Sequence, residues 1–161
     1  MARIRFRVAG LRKDPTTPDT RLADDPMKYN PASIHSLLSL AMGGVHPGVG
    51  GNSLVARLRY FDPDRRRPGL PRDVAALVER ISSDEAVVTL VNVSQIEPRT
   101  VIVQGGAYGE HEIVAASGAA GQTSVGSAQF AVQLAPGSGG KLTIRFKRHA
   151  NQPTLSLPWK D

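Results

Sequence analysis

Gly109-Glu110-His111-Glu112 is the segment whose residue types come nearest to chemistry. On a strand, residues two apart share a face at roughly 7 Å. Glu110 and Glu112 would then stand side by side, with His111 pointing the other way. Two carboxylates at that separation suit acid–base work or a bound cation. A metal would need further ligands, and His46 and His149 are the candidates. The zinc-protease helix pattern is absent, because no second His follows at the required offset. The competing reading is a solvated edge strand whose charges face water. Tyr108, in the Gly-rich bend just before the tetrad, and Trp159, near the end of the sequence, carry aromatic faces that suit the C–H face of a sugar ring. Trp159 could equally anchor Leu155–Trp159 to the core. Tyr108, Glu110, His111, Glu112 and Trp159 are thus the candidate ligand contacts.

Arginine is the second chemical theme. Arg3, Arg5 and Arg7 alternate along one segment, and Arg57, Arg59, Arg65, Arg66 and Arg67 follow later as a candidate basic patch. Net charge is +6, but residues 1–72 carry +7 and residues 73–161 carry −1, and 15 of the 20 cations are Arg. Guanidinium groups pair bidentately with phosphate or carboxylate. Nucleic acid or an acidic protein surface would both answer that charge. Aromatic residues make up only 5%, whereas single-strand binding needs stacking platforms. Solvated faces or interface ion pairs are therefore favoured over nucleic acid.

Other motifs fall short. The loop Gly43–Gly51 lacks the Lys-Ser/Thr of a phosphate loop and follows a helix where a cradle would open one. A flexible connector explains it. Asn92-Val93-Ser94 matches a glycosylation sequon, yet Asn92 closes an apolar run and is expected to bond the turn beyond it. Cys is absent, which excludes disulfides, thiolate metal sites and a Cys nucleophile. No G-x-S-x-G occurs. No catalytic residue, metal or cofactor is assigned.

The elements that must position these groups are mostly strands. A chain of 161 residues with 40% hydrophobic and 21% charged residues is globular in composition, and Gly 16 with Pro 12 implies many turns. Residues 3–8 alternate Arg with Ile4, Phe6 and Val8, which predicts a half-buried strand. Residues 10–31 are Pro-rich and irregular. A helix follows, capped by Asn30 with Pro31 in its first turn, presenting Ile34, Leu37, Leu38 and Ala41, and stopping at Gly43-Gly44. Ser53–Phe61 reads as a strand and Asp73–Ile81 as an amphipathic helix. Strands follow at 86–93, 99–104, 110–115, 128–134 and 141–148, with residues 118–126 as loop. The fold class expected is mainly β: an antiparallel β-sandwich, immunoglobulin-like or related, with one or two short helices in the N-terminal half. Residues 83–161 form the sandwich, and residues 1–82 form an irregular segment packing on it.

Leu90-Val91-Asn92-Val93-Ser94 followed by Phe130-Ala131-Val132-Gln133-Leu134-Ala135-Pro136-Gly137-Ser138 resembles the C-terminal β-sandwich accessory domain of glycoside hydrolases, over residues 86–147. The resemblance implies a non-catalytic module that packs beside a catalytic domain, with a possible carbohydrate association. The expected function is a non-catalytic accessory or interaction module. The alternatives are a small metal- or carboxylate-dependent enzyme around Glu110-His111-Glu112 and a basic nucleic-acid binder. The expected partners are a second copy or a neighbouring domain. No signal peptide and no membrane span is visible, which reads as cytoplasmic.

Overall fold

The computed structural model describes residues 2–17, 35–45 and 53–159. The chain divides into two compact units, Met1–Ser36 and Leu37–Asp161. In the first, α1 spans Ala2–Lys13. The predicted strand over residues 3–8 is therefore a helix. The Arg/apolar alternation also places Ile4, Val8 and Leu11 at helical spacing, and Arg is a good helix former. Arg12 and Lys13 sit in the last turn, where the helix dipole favours cations.

The second unit is an antiparallel β-sandwich. Its strands are β1 (Leu58–Asp62), β2 (Arg67–Pro68), β3 (Val74–Ile81), β4 (Glu85–Asn92), β5 (Arg99–Gly105), β6 (Glu112–Gly118), β7 (Gly121–Ser127), β8 (Gln129–Leu134) and β9 (Gly139–Lys147). One sheet has the order β2-β1-β5-β8 and the other β3-β4-β9-β6-β7. Alternate residues point inward: Leu58 and Tyr60, Ala86, Val88 and Leu90, Val101 and Val103, Ile144 and Phe146 form one core. Each large member contributes about 1.5–3 kcal/mol by leaving water.

The boundary expected at residue 82 falls inside this sandwich, because β1, β2 and β3 lie before it. Asp73–Ile81 is a strand and not a helix. Val74, Ala76 and Val78 pack toward the core at period two, while Leu77 and Ile81 of the supposed helical stripe are exposed. An isolated helix of that length is marginal, and pairing along β4 from Val74↔Asn92 to Ile81↔Ala86 outweighs it. The expected loop 118–126 is largely β7. A two-residue turn at Ala119-Ala120 folds it back on β6. Short Gly, Ser and Thr side chains hide a strand from a periodicity argument.

Helix α2 covers His35–Met42. Gly43 ends it at φ 60°, where its N–H donates to Ser39 O at 3.2 Å. Tyr60 Oη donates to Ala41 O at 2.7 Å, tying the helix end to β1. The capping residues expected at Asn30 and Pro31, with Ile34, most of the stretch 10–31 expected to be irregular, and the loop residues from His46 to Asn52 lie outside the described residues. Among the described residues no helix is long and apolar enough to cross a membrane.

Candidate functional site

The segment from Gly105 to His111 carries the chain from β5 in one sheet to β6 in the other. Gly106 at φ 87° and Gly109 at φ 71° turn it, in a region that suits only glycine. A Cβ on Gly106 would lie 2.3 Å from the Glu110 carboxyl carbon. That hydrogen-only surface is where the carboxylate folds back. Its two oxygens accept the N–H groups of Ala107 (3.3 Å) and Tyr108 (2.8 Å). Glu110 therefore sits in the bend, before β6 begins at Glu112, and the two carboxylates do not share a strand face as expected. Glu112 stands on β6 in register with Lys147.

The bend is clasped from both sides. Arg59 Nη1 donates to Ala107 O at 2.9 Å, and Gln104 Nε2 reaches Gly106 O and Ala107 O at 3.4 Å. The C-terminal segment closes over it. Asn151 Nδ2 donates to Gly109 O at 3.0 Å, and Thr154 N–H donates to Tyr108 O at 2.8 Å. Tyr108 Oη accepts the N–H of Leu54 at 3.2 Å. Trp159 stands edge-on to Phe61, with ring centres 6.0 Å apart. Both aromatic candidates therefore make packing or hydrogen-bond contacts inside the protein.

His111 is buried, its ring edge-to-face with His149 at 4.8 Å and with Phe146 at 6.1 Å. Its Nδ1 accepts the His149 N–H at 3.3 Å, so the neutral ring carries its proton on Nε2. Burial pushes the imidazole pKa below its ordinary 6.5, and the nearby Glu110 charge only partly opposes this. The unfolded chain thus binds this proton first. Stability from this group is present above pH 6.5 and falls as pH drops from there toward the lower folded value. Thermal melts below pH 6.5 should show a declining Tm, and His111→Gln should flatten that decline. An unchanged slope in the variant would contradict the buried neutral ring. Among the described residues no three His, Asp or Glu side chains gather closely enough to hold a metal ion.

The arginines are dispersed. Arg3, Arg5 and Arg7 lie on α1, in the other unit from Arg57 and Arg59, and the side chains of Arg3 and Arg7 lie outside the described residues. Arg57 Nη2 donates to Ser82 O at 3.2 Å, its guanidinium lies 6.0 Å from the Phe146 ring centre, and its Nη1 is buried without a partner among the described residues. Burial and Arg148 both lower its pKa. Arg59 stacks on Phe61 at 5.0 Å. In the turn after β1, buried Asp62 collects the Arg65 N–H at 3.2 Å and Arg67 Nε at 3.3 Å. Arg66 takes φ 47° there.

A different feature stands at the far side of the sandwich. Ala128 alone separates β7, at one edge of the five-stranded sheet, from β8, at one edge of the other. Between the sheets on this side lies a groove of about 740 Å³. Leu90, Ala116, Val125, Phe130, Val132 and Leu142 supply its apolar lining, and small Gly, Ala, Ser and Thr residues form much of the rest. Among the described residues Lys141 is the single charged one lining it, and its Nζ is already paired with Glu79 at 2.6 Å. From Ile113 to Gly140 the sequence holds no charged side chain and no histidine. That gap is the signal by which this surface could have been found in the sequence.

Asn92 is fully buried and answers the sequon. Its Nδ2 donates to Glu97 O at 2.8 Å and to Ala135 O at 3.2 Å, and its Oδ1 accepts the Ser94 N–H at 3.0 Å, as expected of a residue holding the following turn. No protein-family model, no curated protein and no solved structure matches this chain.

Proposed function

We propose that this chain is a non-catalytic β-sandwich interaction module that docks an uncharged, extended polypeptide along its β7–β8 side. The observation that carries the reading is the 740 Å³ apolar groove bordered by edge strands within an uncharged stretch of sequence. A strand laid along such an edge answers its backbone N–H and C=O groups, and its alternate side chains fill the groove. An acyl chain could fill the groove but would leave those polar groups unanswered. The Glu110 and His111 side chains support the same reading, because Glu110 holds the β5–β6 bend and the buried His111 ring accepts the His149 N–H. The resemblance of residues 86–147 to accessory sandwiches of glycoside hydrolases fits a module of this kind, although Tyr108 and Trp159 are occupied by internal contacts.

Titration of the isotope-labelled chain with an eight-residue alternating Val-Thr peptide tests it. Amide shifts are expected in β8, β7 and the start of β9, saturating at one site. Absence of shifts there in a sample dilute enough to be a single chain by light scattering, or saturable shifts centred on residues 108–112 with an oligosaccharide, would overturn the reading.

A further inference from the structure

We infer that the strand docked on this surface is β8 of a second copy of the chain, paired antiparallel about a two-fold axis. The inference rests on the docking reading above and names its occupant. Sheet edges are usually blunted by brevity, Pro, charge or bulges. Among the described residues, three of the four edges are. β2 has two residues, one of them Pro68 and the other Arg67. β3 carries Glu79 and Arg80, with an irregularity in its pairing between Val78 and Arg80. β7 pairs with β6 across an irregularity between Ile113 and Ala115 and includes Gly121 and Gly126 at positive φ. β8 has none of these devices. Gln129-Phe130-Ala131-Val132-Gln133-Leu134 runs in unbroken register along β5, from Gln104↔Gln129 to Arg99↔Leu134, and among the described residues nothing pairs with its other side.

The strand is also its own complement. A two-fold centred on Ala131 sets Ala131 opposite Ala131, Gln129 opposite Gln133 and Phe130 opposite Val132. Every residue then meets one on the same face, as a sheet requires. Phe130 and Val132 line the groove, so the second copy's Phe130 and Val132 continue that apolar surface. The glutamines meet on the outer face as amide pairs. Such an interface is isologous: each copy uses up its one bare edge, and growth stops at two. Each copy carries +6, so the copies repel through charges outside the interface. Salt should therefore tighten the association, the reverse of an interface built on ion pairs.

Light scattering coupled to size-exclusion chromatography of the full chain tests this from micromolar to millimolar concentration, at low and high salt. The expected mass is twice 17.2 kDa, with at least tenfold tighter association at high salt. Ala131→Lys with Gln133→Lys, both at exposed positions, should return the mass to a single chain that melts where the unmodified chain does when diluted to a single chain, because like charges then face each other across the pair. Leu77→Lys on β3 should leave the dimer intact. A single-chain mass throughout for the unmodified protein, larger assemblies, weakening by salt, or a dimer that survives both β8 lysines would each overturn the inference. If the chain stays single while the Val-Thr peptide still shifts β8, only the second copy falls. If neither occurs, the docking reading falls with it.

Discussion

Asn92→Asp should cost about 3 kcal/mol or more and lower the melting temperature by about 10 °C. The residue is fully buried at the end of β4. Its amide nitrogen serves two crossings between the sheets at once, donating to Glu97 O in the β4–β5 connection and to Leu134 O and Ala135 O at the end of β8. Its backbone N–H donates to Ser138 O at 2.8 Å. A carboxylate of the same shape keeps the acceptor for Ser94 N–H but turns the donor into a negative oxygen facing carbonyls. A buried unmatched polar group costs about 1–3 kcal/mol, and more when it is charged. Asn92→Ala should cost about as much as the lost donors alone. Calorimetry of both variants checks the ordering, with Asp the worse. Equal stability of Asp and wild type would contradict the hydrogen-bond assignment.

Phe61→Ala is the second large effect, at about 3–5 kcal/mol. Phe61 is fully buried, with Arg59 over its face and the Trp159 edge against it. The cavity would loosen three things together: the outer layer of β1, the Arg59 link to Ala107 O, and the tail that closes over residues 108–110. The chain has a single Trp, so its fluorescence reports the tail directly. The variant should show red-shifted emission well below its own unfolding temperature. Phe61→Leu, which keeps most of the volume, should cost under about 1.5 kcal/mol and still lose the edge contact. Unshifted emission in the Ala variant would mean that Trp159 is held elsewhere.

The late strands were legible in the sequence because their inward residues are large and alternate with polar ones. Ile144 and Phe146 follow this pattern strictly, while Val101 and Val103 enclose Ile102, and Phe130 and Val132 enclose Ala131, between polar flanks. The sandwich class followed from them. β3 reads as a helix because Val74, Leu77, Val78 and Ile81 satisfy helical spacing as well as Val74, Ala76 and Val78 satisfy strand spacing, and only the partner strand decides. The N-terminal helix reads as a strand for the converse reason, since a two-residue period in six residues also contains a helical one. At the tetrad the residue types were visible but not their use. The fold-back of Glu110 onto Gly106 depends on two positive-φ glycines, and the burial of His111 depends on β9 and the turn after it, both distant in sequence. The β7–β8 surface is illegible to a search for charged residues, because its character is their absence.

The most direct test of the account sets two variants against each other in the Val-Thr peptide titration. Glu110→Gln removes the charge that holds the bend. It should lower the melting temperature by a few degrees, at about 1 kcal/mol, and leave peptide binding unchanged. Ala131→Lys with Gln133→Lys should keep the melting temperature of the diluted, single chain and abolish binding. Loss of binding in Glu110→Gln with the fold intact, or binding that persists in the β8 variant, would contradict the assignment of the bend to structure and of the uncharged edge to recognition.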